Sequence, residues 1–238
     1  MQTDAQKIAV IPAFNPDSKM NEVISSLKLH GFSVVVVNDG SDPEFDGIFD
    51  SADEADTIIK HEKNLGKGCA IKTGLGFVRN NFKPPYVVAT VDADGQHKTG
   101  DVLTVTRAAQ SNPGTLIIGS RKLGNEAPFR SRSGNFITRT VLHAVTPVSV
   151  YDTQSGLRAF DSSLIGLMCA IDGERYEYEM HVLIELTKQA IPIKEVWIKA
   201  VYIGDNSTSH FRTWYDAGRI YRVIFKNAGK KSKKLKKN

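Results

Sequence analysis

Short apolar runs alternate with helical patterns in the N-terminal half of the chain. The runs predict β-strands at residues 8–11, 33–37, 57–59, 86–91 and 116–118. Apolar residues at helical spacing predict helices between them, at residues 20–27, 67–82 and 101–110. Strands that alternate with helices favour a mainly parallel sheet flanked by helices. We therefore predict an α/β fold class with a Rossmann-like central sheet, a nucleotide-binding type of architecture that does not by itself identify the ligand.

The pattern changes in the second half of the chain to longer helices and isolated strands. Residues 133–145 and 178–190 have helical spacing, and residues 156–160 and 196–203 are typical of extended structure. With 238 residues, of which 41% are hydrophobic, the chain is long enough to bury a sizeable core. We expect one large domain, in which a sheet-based half is followed by a second half built onto it.

A further helical pattern lies near the C-terminus. Its apolar residues recur at offsets of three, four, seven and eight from Ala217 and share one face: Ile220, Tyr221, Ile224 and Phe225. Arg219, Arg222 and Lys226 form a second, basic stripe. Such a helix can lie at the surface of an anionic membrane. The alternative is that its apolar face packs on the rest of the protein.

The chain has a net charge of +5 and a pI near 9.1, but the excess charge is concentrated at its end. The lysines of this basic tail are Lys230, Lys231, Lys233, Lys234, Lys236 and Lys237. Without them the chain is close to neutral. A solvated end is the first interpretation of the tail, an anionic membrane surface the second and nucleic acid the third. We expect no nucleic-acid partner.

Cysteine usage and hydropathy indicate the compartment. Cys69 and Cys169 belong to no CxxC pair and lie near no histidine cluster, so we interpret them as buried thiols in a reducing environment. The N-terminal residues are polar, and no stretch reaches the roughly 18 apolar residues that would span a bilayer. We expect a cytoplasmic protein that does not span the membrane.

The ends of the predicted strands are unusually polar. The segments that follow the first, second, fourth and fifth runs are Pro12-Ala13-Phe14-Asn15, Asn38-Asp39-Gly40-Ser41, Asp92-Ala93-Asp94-Gly95-Gln96-His97 and Gly119-Ser120-Arg121. In open α/β sheets, ligands bind at the carboxyl ends of the strands. Four polar ends that converge there predict a functional site.

Asp92 and Asp94 flank one residue directly after the buried run at residues 87–91. This spacing lets one carboxylate reach a metal while the other bonds to a sugar or ribose hydroxyl. Mg²⁺ or Mn²⁺ would use one or two carboxylates together with phosphate oxygens. The alternative is a helix N-cap or a turn, and the position at a strand end favours the metal.

Asp39 and Lys67 also lie at predicted turns. For Asp39 the alternative to a ligand contact is an Asx-turn within Asn-Asp-Gly-Ser. The segment 64–68, Asn-Leu-Gly-Lys-Gly, opens a helix, and a glycine-rich turn with a lysine there suits phosphate. It lacks the spacing of a Walker A loop, and a plain helix start is its alternative.

Arginines of the second half form another candidate set: Arg121, Arg130, Arg132, Arg158 and Arg212. A guanidinium suits phosphate because its planar fork bonds two oxygens at once. A surface salt bridge is the alternative for any single one of them.

Together these motifs resemble the family 2 glycosyltransferases. Within that family they resemble the polyprenyl-phosphate group typified by dolichol-phosphate mannosyltransferase and bacterial undecaprenyl-phosphate glycosyltransferases. The resemblance runs from about residue 7 to 225. It is carried by the four strand-end segments above, the segment at 64–68, Asp152-Thr153-Gln154-Ser155-Gly156-Leu157-Arg158 and Ser209-His210-Phe211-Arg212.

The resemblance implies a glycosyltransferase A-type fold and assigns roles to particular residues. It implies that Pro12, Ala13 and Asp39 contact the nucleotide and that Asp92 touches the donor. The expected donor-binding residues are these four together with Asn15, Lys67 and Arg121. It implies that Asp94 and Gln96 hold the metal, Mg²⁺ or Mn²⁺. It implies that Arg121, Arg132 and Arg212 grip the donor diphosphate or the acceptor phosphate. Asp92, Asp94, Asp152 and Arg212 are the expected catalytic residues.

The expected domain spans residues 1–227, with a donor half at about 1–121, an acceptor half at about 122–211 and the amphipathic helix at about 212–227. Residues 228–238 are the basic tail. Two departures from the family stand out. Pro16 replaces the glutamate that commonly follows the Asn of the first motif, so its ribose contact is lost or supplied by Asp17. Where many relatives carry transmembrane helices, this chain ends in lysines, which leaves its mode of membrane attachment open.

The expected activity is inverting transfer of a hexose from a nucleoside-diphosphate sugar to a polyprenyl phosphate lipid, by an enzyme peripheral on the inner face of the membrane. Three alternatives stay open. A saccharide or protein hydroxyl acceptor would need a general base, for which Asp152, Glu177 and Glu179 are candidates. A nucleotidyltransferase would release pyrophosphate. A non-catalytic protein would bind nucleotide or anionic lipid only.

Overall fold

The computed structural model describes residues 5–121, 135, 139 and 150–199. Its strands are β1 (Gln6–Ala13), β2 (Phe32–Asn38), β3 (Thr57–Lys60), β4 (Tyr86–Thr90), β5 (Leu116–Arg121), β6 (Arg158–Asp161) and β7 (Ile193–Ile198). Its helices are α1 (Lys19–Leu29), α2 (Asp46–Asp50), α3 (Lys67–Asn81), α4 (Thr99–Gln110), α5 (Ile165–Ala170) and α6 (Glu177–Lys188). Single 3-10 turns, Pro43–Phe45 and Ser162–Leu164, precede α2 and α5.

These strands form one mixed sheet in the order β3-β2-β1-β4-β6-β5-β7. The first four pair in parallel, as do β5 and β7, whereas β6 runs antiparallel to both of its neighbours. The register sets Ala13 beside Asn38 and Val10 beside Thr90, so the carboxyl ends of β1, β2 and β4 lie at one edge. The predicted mainly parallel α/β sheet is confirmed.

The central strands of the sheet are buried on both faces, which explains their uninterrupted apolar runs. Alternate residues of β1 enter two separate cores, because successive side chains of a strand point to opposite faces. Ile8 and Val10 pack with residues of α3 and α6, and Ile11 packs with residues of α1 and α4. Met20, Ile24 and Leu27 form the buried face of α1. Each such side chain contributes roughly 1.5–3 kcal/mol on burial.

All strands predicted in the N-terminal half are present, as are its three predicted helices, with ends displaced by no more than a few residues. The second half agrees less closely. β6 starts at Arg158 and β7 at Ile193, whereas the patterns predicted starts at 156 and 196. The start of β7 was misplaced because Lys194 and Glu195 interrupt its apolar run. The short helices α2 and α5 were not predicted, since each is too short to show periodicity.

Several predictions fall outside the described residues. They concern most of the helix at 133–145, the C-terminal part of the strand at 196–203, the amphipathic helix at 212–227 and the basic tail at 228–238. Asn135 and Arg139, which the structure does describe, are both helical. Within the described ranges, no helix combines the length and hydropathy needed to cross a bilayer.

Candidate active site

The loops after β1 and β2 are tied together at the polar edge of the sheet. The Asn15 N–H donates to Ser41 Oγ (2.9 Å) and its Nδ2 donates to Asp42 Oδ2 (2.8 Å). In return the Asp42 N–H donates to Asn15 Oδ1 (2.9 Å). Asn15 has a φ of 47°, a left-handed conformation that asparagine tolerates better than most residues. The predicted donor residue Asn15 therefore shapes the loop with its side chain, beside the half-buried Pro12 and the buried Ala13.

Asp39 lies beneath these loops and is only 2% exposed. Its Oδ1 accepts from Leu65 N–H (2.9 Å) and contacts His61 Nδ1 (2.8 Å), and its Oδ2 accepts from Gly66 N–H (2.8 Å). The Asx-type bond of this turn comes instead from Asn38, whose Oδ1 accepts the Ser41 N–H (2.9 Å). Asp39 therefore fixes the segment that leads into α3, a contact that no sequence motif indicates.

Asp17 was the proposed replacement for the family glutamate. Its Oδ1 accepts the Lys19 N–H (2.9 Å), and its Oδ2 forms an ion pair with Lys19 Nζ (3.1 Å). These contacts are local to the start of α1. The carboxylate of Asp17 thus supports a helix terminus in the structure described.

Lys67 is the first residue of α3 and points at the end of β4. Its Nζ lies 2.9 Å from Asp92 Oδ1 and 3.0 Å from Glu179 Oε1. The turn before it packs tightly against the segment before α6, because a Cβ on Gly66 would lie 2.5 Å from Glu174 O, and Gly66 itself has a φ of +105°. The predicted glycine-rich turn therefore brings Lys67 into the same cluster as Asp92.

The charges of this cluster shift one another's titration. Burial alone would raise the pKa of the Asp92 carboxyl, but the Lys67 ammonium, with His97 second, lowers it to about 2. Burial alone would lower the pKa of the Lys67 ammonium, but the negative charges of Asp92 and Glu179 raise that pKa above its ordinary value. Asp92 and Lys67 are therefore both charged near neutral pH.

Asp94 and Gln96 lie on the loop that follows β4. The Gln96 N–H donates to Asp94 Oδ1 (3.0 Å), and the Asp92 N–H donates to His97 Nδ1 (3.4 Å). Burial, and then the like charge of Asp92, raise the pKa of Asp94 above its usual value. Burial lowers the pKa of His97, so its imidazole tends to be neutral.

The oxygens of this loop suit a hard divalent cation. Burial, and after it repulsion by Asp92, raise the pKa of Asp94, and a divalent cation beside the two carboxylates would relieve that repulsion. Among the described residues, no three His, Cys, Asp or Glu side chains are arranged to hold a metal ion. The residues present thus fit Mg²⁺ or Mn²⁺ only where phosphate oxygens complete the coordination, which is the ordinary mode for Mg²⁺.

Arg121 ends β5 and is held by the fully buried Asp152. Its Nε donates to Asp152 Oδ2 (2.7 Å), its backbone N–H donates to the same oxygen (3.2 Å), and its Nη2 donates to Oδ1 (3.3 Å). The Arg121 side chain remains 22% exposed, whereas that of Asp152 is 0% exposed. Asp152 therefore orients Arg121 in this structure. A general base would need a solvent-accessible oxygen, and the Asp152 side chain is fully buried.

Arg158 differs from the other predicted phosphate-binding arginines. It is 3% exposed, and it donates through Nη1 to Glu179 O (2.8 Å) and through Nε to Ser155 O (3.2 Å). The buried guanidinium thus links the backbone carbonyl groups of Ser155 and Glu179. Arg130, Arg132 and Arg212 lie outside the described residues.

The geometry adds three residues that the sequence patterns did not suggest: His61, Asn135 and Glu195. His61 directly follows β3, so its strand-end position was a usable signal. Asn135 lies in a helix and Glu195 within a strand, where no motif marks them. Glu179 was considered only as a base, and its ion pair with Lys67 emerged from the fold.

Sequence comparison relates the chain to known proteins. A family model described as Glycosyl transferase family 2 matches residues 8–165. An uncharacterised protein of Methanocaldococcus jannaschii is 34% identical over 81% of this chain and 80% of its own length. A UDP-N-acetylglucosamine–dolichyl-phosphate N-acetylglucosaminyltransferase of Methanococcus voltae is 28% identical over 93% of this chain and 96% of its own.

A solved structure extends the comparison to the fold. Glucosyl-3-phosphoglycerate synthase from Mycobacterium tuberculosis, in complex with Mn²⁺, uridine diphosphate and phosphoglyceric acid, matches with a TM-score of 0.74 at 17% identity. The match covers 96% of this chain and 80% of that one. At this identity the likeness bears on the fold, which is of the glycosyltransferase A type.

Proposed function

Because the chain belongs to glycosyl transferase family 2, we propose that it transfers a hexose from a nucleoside-diphosphate sugar to a polyprenyl phosphate lipid, with inversion at the anomeric carbon. The Methanococcus voltae relative, whose name specifies a dolichyl-phosphate acceptor, aligns along most of both chains and supports the lipid acceptor.

One observation carries the proposal most directly. An ionised carboxylate, Asp92, meets the Lys67 ammonium at 2.9 Å at the sheet edge where α/β folds bind ligands. A nucleotide-sugar combines hydroxyl groups with a diphosphate. Asp92 can accept from a hydroxyl, and Lys67 can donate to a phosphate oxygen. When the donor binds, each of these two charged groups can exchange its ion-pair partner for a polar group of the donor.

Asp94 and Gln96 are the residues that would hold Mg²⁺ or Mn²⁺. When bound, the ion supplies Lewis-acid stabilisation of the charge that develops on the leaving diphosphate. The Asp94 oxygens must be ionised to act as ligands, and the raised pKa of this group makes metal binding sensitive to mild acid. Gln96 would contribute its side-chain amide oxygen, because its backbone N–H, which donates to Asp94 Oδ1, cannot ligate a cation.

Arg121 is proposed to bind a phosphate group of the donor or the acceptor. Its guanidinium is fixed by Asp152 through Nε and is partly exposed. A preorganised cation stabilises developing negative charge without a cost of reorganisation at the moment of reaction. Arg132 and Arg212, outside the described residues, are proposed as further phosphate contacts.

The burial of Asp152 favours a phosphate acceptor over a hydroxyl acceptor. A hydroxyl must lose a proton to a base as it attacks, whereas a phosphate oxygen is already an anion near pH 7 because its second pKa is about 6. Asp152 is 0% exposed and is bonded to Arg121, and Glu179 is paired with Lys67. Glu177, the third candidate, is 7% exposed, and its Oε1 accepts the Glu174 and Arg175 N–H groups (3.2 and 3.3 Å). These contacts of the three candidate bases support a phosphate acceptor.

We further propose that the enzyme is peripheral on the cytoplasmic face of the membrane, held by the amphipathic helix at 212–227 and the basic tail. A lipid acceptor requires access to the bilayer surface. The basic stripe and the lysines suit anionic headgroups, each contributing about 1 kcal/mol when held near such a surface. Both segments lie outside the described residues, so the sequence pattern alone supports this part.

A donor screen tests the proposed activity. Purified protein would be incubated with Mg²⁺ or Mn²⁺, polyprenyl phosphate and a panel of uridine- and guanosine-diphosphate sugars. We expect release of one nucleoside diphosphate that depends on both the metal and the lipid, and an inverted anomeric configuration in the product. Pyrophosphate release would instead indicate a nucleotidyltransferase. Binding without any release would indicate a non-catalytic protein.

A further inference from the structure

A short loop, residues 151–153, carries the carboxylate that holds Arg121. We propose that Glu195, on the neighbouring strand β7, is a positioning residue for the transfer reaction, because it fixes this loop and thereby the Arg121 guanidinium. The inference rests on the proposed function, in which Arg121 binds a phosphate group. Glu195 itself would touch neither substrate nor metal.

Glu195 reaches the loop because β7 pairs in parallel with β5, with Ile118 opposite Glu195 in the register. Its carboxylate accepts the Tyr151 N–H with both oxygens (2.9 and 3.0 Å) and the Asp152 N–H with Oε1 (3.2 Å). The hydroxyl of Ser120, which precedes Arg121 in β5 and is 0% exposed, donates to the same Oε1. One carboxylate thus joins the end of β5 to the loop.

Asn135 holds the loop from its other side. Its Nδ2 donates to Tyr151 O (2.7 Å), and its Oδ1 accepts from Thr153 N–H (3.0 Å) and Thr153 Oγ1 (2.9 Å). Asn135 is 5% exposed. These bonds satisfy backbone polar groups of Tyr151 and Thr153. Both chain neighbours of Asp152 are therefore held in place.

The Asp152 side chain transmits this constraint to Arg121. Its Oδ2 accepts hydrogen bonds from the Arg121 Nε and backbone N–H. Its Oδ1 accepts from the Gln154 N–H (3.1 Å) and from Arg121 Nη2 (3.3 Å). A shift of the loop would therefore rotate the guanidinium plane. Because an arginine binds phosphate through a planar fork, its orientation as well as its charge affects the reaction.

The groups around Glu195 favour a carboxylate. The groups that face it here are donors: two backbone N–H groups and a hydroxyl. A glutamine would turn an N–H₂ group toward one of these donors and lose at least one bond. The Tyr151 ring also packs edge-to-face on Trp197 of β7, with centroids 5.1 Å apart. This contact keeps the loop attached to the strand, so Glu195→Gln is expected to fold.

A double-mutant cycle tests the inference through Arg121. Glu195→Gln should lower kcat/KM by about 10-fold to 100-fold, the range for misplacing an active-site group by up to about 1 Å. In an Arg121→Ala background the same change should lower kcat/KM by less than about 2-fold, because its effect passes through the missing guanidinium. Glu195→Asp, which retains the carboxylate, should restore part of the loss.

The control is Glu185→Gln, which removes a surface ion pair with Lys188 on α6 and should leave kcat/KM unchanged. If Glu195→Gln lowers kcat/KM by the same factor in the Arg121→Ala background as in the wild type, the inference is overturned. Thermal unfolding of each variant identifies losses that come from instability.

A second readout separates this inference from the proposed function. Affinities for a nucleoside diphosphate with Mn²⁺ and for polyprenyl phosphate would be measured, and the cycle repeated on whichever ligand Arg121→Ala weakens. If the wild type shows no transfer but the affinity cycle is non-additive, the proposed function fails and the positioning role of Glu195 stands. An additive affinity cycle, or no weakening by Arg121→Ala of either ligand, would overturn that role.

Discussion

Gly156 leaves no room for a side chain beside Asp92. A Cβ added at Gly156 would lie 2.5 Å from Asp92 Oδ2, 2.7 Å from Oδ1 and 2.9 Å from Cγ. Thr90 Oγ1 donates to Gly156 O (2.8 Å), which holds this backbone against the end of β4. Gly156→Ala therefore displaces the Asp92 carboxylate directly, without altering a charge.

The size of the displacement sets the expected effect. Restoring an ordinary contact of about 3.4 Å requires the carboxylate to retreat by about 0.9 Å. A misplacement of about 1 Å at an active site costs about 100-fold in rate, equivalent to about 2.7 kcal/mol of transition-state stabilisation. Retreat also disturbs the 2.9 Å pair with Lys67. Overpacking should cost about 1–3 kcal/mol in the free energy of unfolding.

The assay is nucleoside diphosphate release, run well below the unfolding temperature of each variant so that lost stability does not mimic lost activity. Gly166→Ala on α5 is the matched control, because a Cβ there meets nothing within 4 Å. It should retain wild-type turnover. If Gly156→Ala keeps wild-type kcat/KM while folded, the position of the Asp92 carboxylate does not matter for transfer, and the proposed site is wrong.

Four further predictions follow from the site and the sequence. Asp94→Asn should abolish metal-supported turnover. In chelator, the Tm of this variant should exceed that of the wild type, and the difference should grow as pH rises through the raised pKa of Asp94, because only the ionised carboxylate is disfavoured by burial and repelled by Asp92. Equal Tm values at every pH would contradict this. Asp39→Asn should cost about 1–3 kcal/mol of stability, measured by thermal unfolding, because an amide N–H₂ would face the backbone donors at the start of α3. Arg212→Lys should weaken use of polyprenyl phosphate far more than donor binding, and equal weakening would move Arg212 to the diphosphate. Truncation after Asn227 should sharply reduce co-sedimentation with anionic vesicles, and unchanged sedimentation would leave the tail as a solvated end.

The central strands could be predicted from the sequence because burial on both faces demands continuous apolar runs. Val34, Val35, Val36 and Val37 are each 0% exposed, and no helix-period pattern competes with them. The second half offered weaker signals. β7 combines Lys194 and Glu195 with apolar neighbours at a sheet edge, so its hydrophobic pattern matched neither a buried nor a regularly alternating strand.

The strand-end side chains were predictable for a geometric reason that does not depend on their partners. Parallel strands bring their carboxyl ends to one edge, so residues such as Asn15, Asp39 and Asp92 are collected there by the sheet itself. The direction in which each side chain points is not fixed in this way. Asp39 turns inward to bond the start of α3, and Asn15 turns sideways to Asp42.

The partners of the charged groups could not be predicted, because each comes from a distant part of the chain whose placement depends on sheet order. Ser120 and Glu195 are separated by 75 residues and meet only because β7 adds beside β5. Lys67 meets Glu179 because α6 packs near the start of α3, a contact that the close approach of Gly66 to Glu174 permits. Motif spacing within a segment carries no information about such contacts. A substitution at Glu195, which lies in no motif, therefore tests the assembled site in a way that substitution of a motif carboxylate does not, since Glu195 would not be expected to matter unless β7 meets β5 as described.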